Sequence, residues 1–96
     1  MRDITIMMAD ALLNGKNKKL SNTIVKDGEM FLHGNKIAKI VGNRIYFCMC
    51  GWNTVTTRER LSGLGIRICQ RKFKPYWNDK EIDANKVYSM AIERAV

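Results

Sequence analysis

The chain predicts an α+β fold. At its centre is a four-stranded antiparallel meander, accompanied by an N-terminal helix, a short capped helix after Trp52, a basic edge strand and a C-terminal helix. Three observations carry this. The dipeptides Asp27-Gly28, Gly34-Asn35 and Gly42-Asn43 favour tight hairpin loops and are separated by short apolar runs. Apolar residues recur at helical spacing near both ends. Thr56-Thr57-Arg58-Glu59 fits the Ser/Thr-x-x-Glu capping box.

At the N-terminus, "DITIMMADALLNG" places Ile4, Met7 or Met8, Ala11 and Leu12 on one helical stripe, and Gly15 after Asn14 is a stop. The loop "KNKKLSN" leads into strands expected over 22–26, 29–33, 36–41 and 44–50. Two-residue loops put Lys26 opposite Glu29. Alternation then places Ile24, Phe31, Ala38, Ile40, Ile45, Phe47 and Met49 on one face. The other face receives Val25, Met30, Leu32, Ile37, Val41, Tyr46, Cys48 and Cys50. Both faces are apolar in this register, so each calls for a cover: a helix, barrel closure or a second protomer. A homodimer follows as an expectation.

Thr56 is the expected cap of the short helix, with Glu59 reaching back and Gly63 or Gly65 ending it. Beyond it, "GIRICQRKFKPYWNDKEI" reads as an extended arm with a turn near Asn78-Asp79, and Pro75 assigns it to an edge. "IDANKVYSMAIERAV" closes the chain as a helix capped by Asp83, its stripe formed by Ala84, Val87, Tyr88, Ala91 and Ala95.

The 96 residues suit a single domain, small enough that burial against a partner matters. The hydrophobic content is 46% with one proline, which excludes a disordered chain. Asp3 and Asp10 interrupt the apolar N-terminus, so neither a signal peptide nor a membrane span is expected, and the three cysteines form no disulfide framework. A cytosolic location is the matching expectation.

The net charge of +8 is unevenly spread. Lys16, Lys18 and Lys19 form one basic segment; Arg58, Arg60, Arg67, Arg71, Lys72 and Lys74, offset only by Glu59, form another. The remaining residues carry eight positive and eight negative charges, which points to a localised basic surface. Phe73, Tyr76 and Trp77 interleave the second segment, the mixture that nucleic-acid surfaces use for phosphate contact and base stacking. The alternative for these aromatics, and for Trp52, is ordinary packing.

Cys48 and Cys50, with Cys69 and His33, are the only candidate metal set. Cys-x-Cys along an apolar strand converges poorly, and the derived register puts His33 on the opposite face, so the cysteines read as small packed side chains. The same placement leaves them without a histidine base. Paired carboxylates and phosphate-binding glycine loops are absent from the sequence. No enzymatic activity, metal or cofactor is expected.

The segments "SNTIV", "LHGNKIAKI" and "GWNTVTTRERL", with the basic strand that follows, resemble a family of small proteins encoded by tailed bacteriophages; the likeness runs from about Ser21 to Ile82. That resemblance implies no established activity and supplies no catalytic residue. It implies a setting in which such proteins bind host machinery, a defence complex or nucleic acid.

The leading expectation is therefore a non-enzymatic phage accessory protein that binds nucleic acid through Arg58, Arg60, Arg67, Arg71, Lys72, Lys74 and Trp77, helped by Lys16, Lys18 and Lys19. Its rival is an inhibitor that docks the same patch on an acidic surface of a host enzyme or antiviral defence complex. A small-ligand binder or sponge, with a pocket at an oligomer interface, is third.

Overall fold

Two of the three hairpin loops close where the dipeptides place them. In the computed structural model, which describes residues 2–92, Asp27 and Gly28 both have positive φ (52° and 79°) and join Lys26 to its partner Glu29. This is the backbone that matches strand twist. Gly42, at φ 58°, closes Val41 on Arg44.

The element order is α1 (Asp3–Leu13), β1 (Lys18–Leu20), β2 (Thr23–Lys26), β3 (Glu29–Leu32), β4 (Asn35–Val41), β5 (Arg44–Phe47), α2 (Val55–Ser62), β6 (Ile68–Arg71), β7 (Lys74–Trp77), β8 (Lys80–Glu81) and β9 (Tyr88–Ala91). The fold is α+β, but the expected layout is corrected in three respects. The meander is a six-stranded sheet in the order β1-β2-β3-β4-β5-β9. The basic arm is no edge strand of that sheet; it forms a separate three-stranded sheet, β6-β7-β8. The C-terminal helix is absent from the described residues: Asp83 to Val87 form a turn and bend, and Tyr88–Ala91 pairs antiparallel with β5. Residues 93–96, with Ala95 of the expected stripe, lie outside the described residues.

The middle loop closes one residue early, on His33 and Gly34, so that Leu32 pairs with Asn35. A bulge then absorbs the difference. Phe31 pairs with Lys36 but Met30 with Ala38, leaving Ile37 as the extra residue. A one-residue slip exchanges the faces of everything beyond it, and this overturns the two-apolar-faces reading. Val25, Met30, Leu32, Ala38, Ile45 and Phe47 share a single inner face and are buried. The outer face is mixed. It carries Lys19, Lys26, Lys36, Lys39 and Arg44 among Ile24, Phe31, Val41 and Tyr46.

α1 packs on β1 and β2, and α2 packs on β4 and β6, covering the inner face with Met8, Leu12 and Leu61, joined by Ile66 from the segment after α2. Thr54, not Thr56, caps α2: its hydroxyl accepts from the Thr57 backbone N–H at 3.2 Å. Pro75 lies in the central strand of the small sheet. The strand on its far side is too short to need a second donor, and the Pro75 carbonyl takes the Ile82 N–H at 3.0 Å. Among the described residues, no helix is long and apolar enough to cross a membrane.

Candidate functional site

The β6–β7 hairpin concentrates the second basic segment. Its register pairs Arg71 with Lys74, so Lys72 and Phe73 alone make the loop. Both have positive φ, 50° and 65°, a backbone that suits Asn-Gly and strains a β-carbon. At this tip Phe73 is 88% exposed, with a cation on each side of it in sequence. A large apolar ring held in solvent on a strained turn buries little against the described residues, which makes the tip the leading candidate for contact with something else.

Two side chains brace the hairpin laterally. Arg58 donates to the Gln70 side-chain oxygen on β6 at 2.9 Å and to the Asn53 backbone and side-chain oxygens; Asn53 in turn donates to the Phe73 carbonyl at 3.4 Å. Arg58 thus links the capped end of α2 to the loop. Along the outward side of the hairpin, Arg71 lies 4.9 Å from the centre of the Tyr76 ring and bonds Asp79 at 3.1 Å, while Lys74 faces Glu81 at 3.8 Å. The Asp79 carboxylate raises the Arg71 pKa above its ordinary value. Arg67 and Lys72 are exposed and make no ion pair among the described residues.

The other expected site residues are dispersed. Arg60 is 2% exposed. Its Nε donates to Thr23 and its Nη1 to Thr5 and Glu59, so the guanidinium joins α2 to α1 and β2 and is withdrawn from any surface. Trp77 is half-buried, its ring edge-on to Phe47 at 4.9 Å and 6.3 Å from Tyr88. It is a packing residue. Lys18 and Lys19 lie on β1, an edge of the large sheet, with Lys16 in the loop before them; the structure sets all three apart from the sheet that holds the hairpin.

Cys48 and Cys50 fall beyond the end of β5, Cys50 at φ 54° in a turn. The Cys50 thiol donates to the Lys36 carbonyl at 3.1 Å, and its backbone N–H donates to the Cys48 sulfur at 3.2 Å. Burial, then the neighbouring Cys48, pushes the Cys50 thiol above its ordinary value of 9.0. His33 is exposed in its hairpin loop, and no group of three or more His, Cys, Asp or Glu among the described residues is arranged to hold a metal.

Phe73 and Trp52, the latter 60% exposed beside Asn53, are the contact candidates that the expected site set omits. A turn through Lys-Phe has no turn-former to announce it. The signal that was there is the pair of short strand-like runs, Ile68–Arg71 and Lys74–Trp77, separated by two residues.

A family model described as Kyanoviridae Gp96 protein matches residues 1–93. The chain belongs to that family of cyanophage proteins. No curated protein and no solved structure matches it.

Proposed function

We propose that this Kyanoviridae Gp96 family member is a non-enzymatic phage accessory protein that binds nucleic acid, with the β6–β7 hairpin as its principal contact. The observation that carries the reading is the tip itself. Phe73 stands in solvent between Lys72 and Lys74, with Arg71 and Arg67 on the adjoining segment, so a ring for stacking and cations for phosphate are presented together. The lateral brace from Asn53 and Arg58 holds that arrangement before any ligand arrives, which lowers the ordering cost of binding.

Fluorescence anisotropy with a labelled oligonucleotide tests it. Binding at about 50 mM salt should weaken steeply toward 200 mM, and charge reversal at Arg67 and Lys72 should remove most of it. Absence of binding at the lower salt overturns the reading. In that event the exposed ring would be better understood as an anchor for an acidic host protein surface, a reading that capture from nuclease-treated host lysate would then test.

A further inference from the structure

The outer face of the six-stranded sheet gathers cations that lie far apart in the sequence. The cross-strand pairs Lys19–Ile24, Ile24–Phe31 and Phe31–Lys36 form one row; Lys26–Glu29, Glu29–Lys39 and Lys39–Tyr46 form the next; Val41–Arg44 follows. Five cations therefore share this face with one carboxylate, Glu29, already bonded to Lys36 at 2.9 Å. The face owes its charge to the bulge at Ile37, which turns Lys36 and Lys39 to the same side although they are three residues apart.

A second observation coincides with it. An open groove of about 350 Å³ lies where this face meets the 87–88 segment, lined by Lys36, Lys39, Val41, Tyr46 and Val87 among others. Tyr46 is 38% exposed and Val41 and Val87 more so. The floor is apolar and aromatic; the rim is lysine.

We infer that this sheet face is a second nucleic-acid contact, selective for single strands, in which an unpaired base stacks on Tyr46 in the groove and Lys39, with Lys19 farther along the face, takes the flanking phosphates. The inference extends the nucleic-acid reading but uses none of the hairpin's residues. Charge complementarity selects a polyanion, and the exposed ring selects one with free bases: a duplex can set phosphates against the lysines but has no unstacked base for Tyr46.

The test compares a single-stranded oligonucleotide with the duplex of the same sequence, using the full chain and the variants Tyr46→Ala, Tyr46→Phe, Lys19→Glu/Lys39→Glu and Arg67→Glu/Lys72→Glu. Tyr46→Ala should weaken single-strand binding roughly tenfold, leave duplex binding unchanged, and be rescued by Tyr46→Phe, which keeps the ring. Lys19→Glu/Lys39→Glu should flatten the salt dependence for single strands by about 0.7 in logarithmic slope for each phosphate that is no longer neutralised. Unchanged single-strand binding in both sheet variants, with loss in the hairpin variant, overturns this inference and leaves the hairpin reading standing. Loss in the sheet variants with none in the hairpin variant does the reverse. A chain that binds neither oligonucleotide overturns both.

Discussion

The Nη1 of Arg60 donates to the hydroxyl of Thr5 at 2.7 Å, across 55 residues of chain and in a site closed to solvent. With the Nε bond to Thr23 and the contact to Glu59, this one guanidinium ties both helices to the large sheet.

In urea titrations Arg60→Ala should cost about 2–4 kcal/mol, because it opens a cavity, strands the buried Thr5 hydroxyl and takes one partner each from Thr23 and Glu59. Arg60→Lys should recover only part of that, since a point charge cannot serve partners in several directions. Arg58→Ala, at a half-exposed site, should cost less than about 1 kcal/mol by the same measurement.

Acid should weaken the same junction. Glu59 accepts the Arg2 backbone N–H at 3.0 Å, and this bond, with the charges of Arg2 and Arg60, holds its pKa below the ordinary 4.5. A depressed folded-state pKa supplies stability that is fully present above the unfolded value and is lost as the pH falls through the folded one. The urea midpoint should therefore drop as the pH falls below about 4.5, and Glu59→Gln should flatten that slope. The flattening will be partial, because Glu29, bonded to Lys36, is lowered in the same way.

Gly63 tests how closely the helices approach. Its backbone is ordinary, at φ −61°, yet an added β-carbon would meet the Thr5 side chain at 2.7 Å, the Thr5 carbonyl at 3.1 Å and the Ala9 β-carbon at 3.3 Å. Gly63→Ala should destabilise by about 1–3 kcal/mol despite alanine's better helix propensity. A neutral result would mean that α1 and α2 can separate freely.

The hairpin tip should trade stability against binding. Replacing Lys72 and Phe73 with Asn and Gly gives the loop the residues its backbone favours, and should stabilise the chain by about 1–2 kcal/mol, raising Tm by about 5 °C or more. The same variant should lose nucleic-acid affinity at the hairpin. A lower Tm would show that the Phe73 ring contributes to the fold after all.

The sequence made the centre of the fold legible through turn chemistry, and failed where two local signals competed. Gly34-Asn35 and His33-Gly34 are both acceptable loops; the choice between them rests on burying Ala38, Ile45 and Phe47 together with Met30, which is a property of the assembled core. The Ala84, Val87, Tyr88 and Ala91 spacing mimics a helix, but Tyr88–Ala91 instead completes the hydrogen bonding of β5, and Tyr88 packs on Phe47. β1 is three residues with no alternation to read. Within the candidate site, Arg67, Arg71, Lys72 and Lys74 were legible as a charge run. The burial of Arg60 was not, because its partners Thr5 and Thr23 become neighbours only after folding.

Strand β9 has a consequence for how the chain is made. Its residues Tyr88–Ala91 supply the hydrogen-bonding partners of Arg44–Phe47. On a ribosome those partners emerge about 2–9 s later, at about 5–20 residues per second. Throughout that interval a nascent meander displays a naked rim of amide and carbonyl groups alongside Ile45 and Phe47, a template for annealing with the next chain on the same message. That interval, more than the finished molecule's stability, is then the step at which yield is decided.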